Sequence, residues 1–547
     1  MRPTSAKTRI YALLSASALV TGIIVSIPVA ANAAPACDGK SPIQSCVGVT
    51  SDGAPYSMMV PANFNGTVAL YSHGYRYNID IPVGIPLIGG YKVTNTPEPI
   101  PGGNAAVAQY LFSQGVAVVG SGFARQGWNP DSAIATNVEL IGVFKAQFPK
   151  TTKIVAWGSS LGGVITQGLA EKYPNLISAA APMCMADNIP AELTMAGDFL
   201  WGLKVLFDPT IKGGNYSAGA AGNAEAYGDL VKVFTVMGKL QASLSTNAWP
   251  DTSSATGKAL AAGGVPPRSA LLLLGLMSGL PTQSAHFDSI RGPEGALKLS
   301  FPLAISPALA ILENGTNAAA LAVLATQDVE LQAGGAIFDN TMTDYAARIE
   351  NERVIYNAAL SGNTVIDVLL GALSTANPGA PRAVGNAAAI AKMNALHSNT
   401  GKINVPTILM TGVADPITPA GASQRIVDAY AQQFADEKLA AFAAYKTTRS
   451  YKGPTNRLLM LWNMTPSKGY TTFTDAGSPI TTTPAASGTN HCNFTSAQLV
   501  LVAKSLVSAG LTGTLPSGGP IVSAGRKAGN LVVDRNFYAP LLKYYNQ

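Results

Sequence analysis

The sequence predicts an α/β fold: a mostly parallel central sheet with helices on both faces, carrying a large, mainly helical insertion. Two observations predict it. Short apolar runs alternate with amphipathic stretches from about residue 57 to 187, and the same rhythm resumes at residue 407. Between them, residues 188–404 read as helix after helix, broken by Gly and Pro. Strands alternating with helices of about 10 to 15 residues make βαβ units and a parallel sheet. Composition agrees. The 547 residues are 47% hydrophobic and only 12% charged, against roughly 25% charged in an average soluble protein. Strands buried on both faces are near-continuous apolar runs and would account for part of that excess. So apolar a chain is not a long disordered one, and its glycines and prolines follow no collagen-like period.

The elements follow in order. Residues 1–33 read as a secretory leader: Arg2, Lys7 and Arg9 precede an apolar stretch over 10–29, and Ala31-Asn32-Ala33 suits cleavage. The alternative is an uncleaved anchor, since roughly 20 apolar residues span a bilayer. No second span is expected. Loss of the three leader cations lowers the formal net charge from +6 to +3, too little and too scattered for a nucleic-acid face. The expected location is therefore outside the cell or in its envelope. Residues 34–187 form the first part of the core. Strands are expected at 67–72, 116–120, 153–157 and 176–183, with helices at 104–114, 131–148 and 161–172. Residues 188–404 are the insertion, with its clearest helical pieces at 329–360 and 386–396. Its position between strands suggests a cap. Residues 405–510 complete the core: strands at 407–411 and 458–463, helices at 420–434 and 495–509, and a Thr/Ser/Pro/Gly-rich loop at 465–490. Residues 511–547 read as connector and tail.

Gly158-Ser159-Ser160-Leu161-Gly162 fits G-x-S-x-G. It falls where the strand ending at Trp157 turns into the helix beginning near Leu161, the setting a nucleophile elbow needs to expose its serine oxygen. The small flanking residues relieve crowding at such a turn. A serine nucleophile needs a base, and the base needs an acid to orient it. The chain has four histidines: His73, His286, His397 and His491. His491 lies beyond the last predicted strand, on the loop before the final helix, and is the expected base. Asp415 follows the strand over 407–411 in a glycine-containing turn and is the expected acid; Asp187, after the strand over 176–183, is the runner-up. The oxyanion needs preorganised N–H donors. Leu161, the residue after the nucleophile, supplies one. Ser72-His73-Gly74-Tyr75 supplies the other, with the Tyr75 amide preferred and Gly74 second. His73 is then structural. Residues 120–123 either line the pocket or form a simple turn.

These residues, His73-Gly74, Gly158 to Gly162, Asp415 and His491 in that order, resemble the α/β-hydrolase superfamily over about 57–187 and 405–510. The resemblance implies the α/β-hydrolase fold and serine-hydrolase chemistry. Four cysteines, Cys37, Cys46, Cys184 and Cys492, permit disulfides in an exported chain. Cys37 with Cys46 is the local choice, which leaves Cys184 with Cys492. His491-Cys492 is similar to a feature of the tannase and feruloyl-esterase family, where a cysteine after the catalytic histidine bonds one before the serine. Here Ser159 precedes Ser160, so the likeness implies a similar staple through Cys184 and not membership. The 76 residues from Asp415 to His491 also need an extra excursion around 436–453.

The expected function is a secreted serine hydrolase that cleaves carboxylic esters, with an apolar acyl or aryl part favoured by the apolar runs at 270–277 and 301–305. Those runs could equally bury against one another. The alternatives are an exported serine peptidase, with Glu192, Glu350 or Glu352 holding a charged terminus, and a non-catalytic binding protein. No G-x-G-x-x-G, P-loop or ligand-spaced histidine occurs, so no cofactor and no metal are expected.

Overall fold

The computed structural model describes residues 34–39, 42–246, 248–289, 305–472, 479–534 and 536–542. The expected leader, residues 301–304 of one apolar run and the last five residues lie outside them. Ten strands form one sheet: β1 (Ala36–Cys37), β2 (Ile43–Val49), β3 (Pro55–Pro61), β4 (Thr67–Ser72), β5 (Ala117–Ser121), β6 (Lys153–Ser159), β7 (Ala179–Met183), β8 (Thr407–Gly412), β9 (Leu458–Asn463) and β10 (Leu531–Val532). Their order is β1-β2-β3-β5-β4-β6-β7-β8-β9-β10. The pairs from β5 through β9 are parallel, and the outer pairs are antiparallel. This is the α/β-hydrolase fold.

Every residue of β4, β5, β7 and β8 is buried, which is why these strands are unbroken apolar runs. On one face, Ile134, Leu140, Ile141 and Phe144 of the Pro130–Gln147 helix join Val164 and Leu169 of the Leu161–Lys172 helix. On the other, Val107 and Leu111 of the Ala105–Ser113 helix join Val502 and Leu506 of the Ser496–Thr512 helix. Side chains close the exposed helix starts. Asn104 accepts from the amides of Ala106 and Val107, and Thr495 with Gln498 forms a capping box. After β4 the chain crosses to β5, and after β5 it returns past β4 to β6. That reversal leaves a crevice at the carboxyl ends of β4 and β6, where open α/β sheets bind ligands.

Residues 188–404 are helical where described, apart from their connecting loops. Four long helices, Ile189–Leu206, Gly219–Thr246, Pro267–Ser278 and Ser306–Ala333, enclose an apolar cluster of their own. All twelve residues of Pro267–Ser278 are buried, so the apolar run at 270–277 packs inside the insertion. Ser306–Ala333 is long and apolar enough to cross a membrane, but most of it is buried within the protein.

Four expectations need correction. No helix runs from 329 to 360: Ser306–Ala333 stops where Gly334 takes a left-handed conformation, and short helices restart after Asp344 caps Tyr345–Arg348. The helix expected at 420–434 continues to Thr448. Its second half is mostly exposed, Leu439, Phe442 and Tyr445 included; it is the excursion between Asp415 and His491. The strand expected from 176 begins at Ala179, because residues 174–176 form a turn. The stretch 511–542 contributes the Gly518–Gly529 helix and β10 at the sheet edge.

A buried ion pair ties the insertion together. Asp198 and Arg348 have essentially no exposed side-chain surface and bond each other directly, and Tyr345 donates to Asp198 at 2.6 Å. Burial pushes the Asp198 carboxyl up to about 6. Arg348→Met is expected to cost about 3–5 kcal/mol in urea unfolding at pH 8, because it strands a buried carboxylate. A carboxyl with a raised folded-state pKa favours folding as pH falls, so the loss should shrink at pH 5. An equal loss at both pH values would contradict this account.

Candidate active site

Ser160 follows β6 directly and precedes the Leu161–Lys172 helix, with φ 58° and ψ −125°. A residue with a Cβ is strained there and persists only where its surroundings enforce it. The enforcement is steric and bonded. A Cβ at Gly162 would lie 1.9 Å from the Ser72 carbonyl oxygen, and one at Gly158 would lie 2.3 Å from that of Gly162. Only glycine lets β4, β6 and the helix meet this closely. The Ser160 amide donates to the Met183 carbonyl at 3.0 Å. The Leu161 amide opens the helix, where N–H groups lack intrahelical acceptors and the dipole favours negative charge. Gly74 lies against this turn: a Cβ there would sit 3.3 Å from Ser160 Cβ and 3.9 Å from its Oγ.

His491 Nε2 lies 2.8 Å from Ser160 Oγ, and His491 Nδ1 lies 3.0 Å from both carboxylate oxygens of Asp415. Asp415 is fully buried, yet backbone amides bond its side-chain oxygens: Ile417 at 2.9 Å and Thr418 at 3.0 Å on Oδ1, and Cys492 at 3.0 Å on Oδ2. The two loops are tied to each other as well. The Ala414 amide donates to the Gly488 carbonyl at 2.9 Å, and Ala414 bridges Thr489 in parallel. Asn490 and Cys492, on either side of His491, both have positive φ. Disulfides join Cys37 to Cys46 and Cys184 to Cys492. The second anchors the residue after His491 to the end of β7 across a sequence separation of 308. Asp415, His491 and Cys492 gather ligand atoms within 4.8 Å, but the disulfide leaves Cys492 no thiolate for a metal.

No protein-family model matches the chain, and no curated protein does. Among solved structures it is similar to feruloyl esterase B from Aspergillus oryzae, at 13% identity and a TM-score of 0.35, over 87% of this chain and 81% of that one. It is also similar to an esterase from Aspergillus oryzae, at 10% identity and a TM-score of 0.32, over 79% of this chain and 74% of that one.

A cleft opens between the insertion and the sheet, with Ser160 and Leu161 in its floor. Leu193, Met195 and Phe199 of the Ile189–Leu206 helix and alanines of Ser306–Ala333 form its roof; Trp128 and Tyr75 join the wall. Glu192 lines it too, while Glu350 and Glu352 do not. The remaining candidates lie elsewhere. Asp187 is buried against Arg425, which also donates to the Asn399 carbonyl at 2.5 Å. His73 packs on Phe123 at 4.7 Å and donates from Nδ1 to the Gly74 carbonyl at 2.7 Å. Burial and Arg76 hold its pKa down, at about 4, so it is neutral. The 120–123 segment thus supports His73 from below. His286 bonds Glu313 at 2.6 Å and the Thr483 carbonyl at 2.8 Å, and His397 bonds Asn399 at 3.1 Å. Sequence reasoning missed the amides that hold Asp415 and the role of Trp128 in the wall, because no local pattern marks either.

Two variants test the scaffold. Gly162→Ala should cost about 1–3 kcal/mol or more from overpacking, read as a lowered denaturation midpoint. Cys184→Ala with Cys492→Ala should cost about 2–4 kcal/mol. Unchanged midpoints would show that the turn relaxes freely or that the staple is dispensable.

Proposed function

We propose that this chain is a secreted serine hydrolase that cleaves carboxylic esters through an acyl-enzyme on Ser160. The observation that carries this reading is the unbroken line of contacts from Ser160 Oγ through both nitrogens of His491 to a buried, amide-bonded Asp415. In the reaction, Ser160 Oγ attacks the ester carbonyl carbon while His491 Nε2 takes its proton. Asp415 holds the Nδ1 proton, which fixes the tautomer and stabilises the imidazolium. Negative charge collects on the former carbonyl oxygen and is met by the amides of Leu161 and of Tyr75 or Gly74. Collapse of this intermediate breaks the ester bond, and the imidazolium protonates the departing alkoxide. Water, deprotonated by His491, then attacks the acyl carbon; the bond to Ser160 Oγ breaks, the imidazolium returns its proton to Oγ, and the acid leaves.

The residues 188–404 act as a cap in this reading, since their side chains roof the cleft above Ser160. The cleft wall is mostly apolar, which suits an ester with an apolar acyl or aryl part. Two disulfides suit an oxidising compartment, and together with the leader-like residues 1–33 they support export.

Purified protein should hydrolyse nitrophenyl esters and react with a fluorophosphonate at Ser160. Ser160→Ala and His491→Ala should each lower kcat by about 10⁴-fold or more, and Asp415→Asn by about 10⁴-fold. Turnover that survives in Ser160→Ala would sink the nucleophile assignment. Turnover of aminoacyl nitroanilides alone would favour a peptidase.

A further inference from the structure

The wall of the cleft contains polar atoms that nothing in the protein satisfies. Both carboxyl oxygens of Glu192, the Tyr75 hydroxyl and the Trp128 indole nitrogen are buried without a hydrogen-bond partner among the described residues. All three residues line the cleft with Ser160. Buried polar groups in native proteins are almost always paired, so three orphans around one cleft point to a ligand that completes them.

Their chemistry narrows that ligand. An indole N–H can only donate, whereas a phenol and a neutral carboxyl can donate or accept. A cation finds no acceptor at the indole, and mostly apolar walls would strip its water. What all three groups share is the ability to donate to an uncharged oxygen. We propose that Glu192, with Tyr75 and Trp128, is a polar anchor that selects esters whose apolar body carries an ether, carbonyl or hydroxyl oxygen over plain hydrocarbon esters of the same shape. The proposal rests on the ester-hydrolase reading for its substrate class. The donor form of Glu192 is the protonated one. Burial first, then the charges of Asp415 and Asp187, hold its pKa well above the usual carboxylate range; Asp187 is itself engaged by Arg425.

The test uses shape-matched pairs in which oxygen replaces a methylene: 4-nitrophenyl 3-methoxypropanoate against pentanoate, 4-methoxybutanoate against hexanoate, and 5-methoxypentanoate against heptanoate. Each pair is measured twice: as kcat/KM in protein with Ser160 intact, and as binding to Ser160→Ala protein by quenching of tryptophan fluorescence. In at least one pair the oxygen-bearing ester should be favoured about tenfold, the net worth of one good hydrogen bond. Glu192→Leu should bring that ratio to about one, and Glu192→Gln, whose amide still donates, should keep it. Raising the pH should erode the preference in protein with Glu192 and not in Glu192→Gln. Tyr75→Phe should reduce it.

No preference in binding for any pair would overturn the proposal, as would a preference that survives Glu192→Leu. If Glu192→Leu does not fold, a preference in the unsubstituted protein that is independent of pH overturns it instead. Selective binding with no ester turnover would sink the hydrolase reading while leaving the anchor standing. Turnover without selectivity would do the reverse.

Discussion

The backbone contact between Ser72 and Gly162 is the constraint on which the rest of the site depends. It presses β4, β6 and the Leu161–Lys172 helix together at one turn, where no Cβ fits at Gly162. A residue held at φ 58° without being glycine stores strain of order 1–3 kcal/mol, and the sheet repays it by surrounding the turn with buried strands. The result is a serine that leaves the strand pointing away from the sheet, with a helix N-terminus directly behind it. Moving Ser160 by a small amount would require moving two central strands, whose interiors are close-packed and deform little.

The other two members of the site come from loops, and loops need restraint. Asp415 and His491 are 76 residues apart, yet β8 and the segment before His491 are joined through Ala414, Gly488 and Thr489. Three amides fix the Asp415 carboxylate, and one of them belongs to Cys492, the residue that carries the disulfide. Asp415 and His491 are thus held by overlapping bonds. A displacement of the His491 loop would disturb the Cys492 amide bond to Asp415 as well as the imidazole. Those amides give the fully buried Asp415 side chain hydrogen bonds in place of the water it lost.

Much of this was legible in the sequence, for reasons that differ by element. β4, β5 and β8 were readable because burial on both faces forces continuous apolar runs. β1 to β3, at one end of the sheet, were not: β1 has two residues, Pro55 and Pro61 bound β3, and several residues of β2 and β3 are only half-buried. The elbow was readable because steric crowding demands glycines at fixed spacing. Asp415 and His491 were readable from their places after strands. The cleft was not: Trp128, Glu192 and Phe199 meet through the packing of the insertion on the sheet, and no local spacing records that. The long helix read over 329–360 failed because Gly334-Gly335 ends it despite the helix-forming residues on either side, a case of turn chemistry overriding propensity.

The Ser306–Ala333 helix shows how one element reconciles apolarity with function. Its composition suits a membrane span, but Glu313, Asp328 and Glu330 occur within it, each engaged in the protein. Asp328 takes Arg125 at 2.5 Å and the Trp128 amide at 2.7 Å; Glu330 takes the amides of Asn215 and Tyr216. Another face of the helix turns Ala318, Ala322 and Ala325 toward the cleft, at the three- and four-residue spacing that keeps side chains on one side. Leu321 lines the cleft from the same helix, so small and larger apolar side chains share this wall. The bond from Asp328 to the Trp128 amide also fixes one of the cleft's orphaned donors to the roof, so the helix sets both the width of the cleft and the position of the indole.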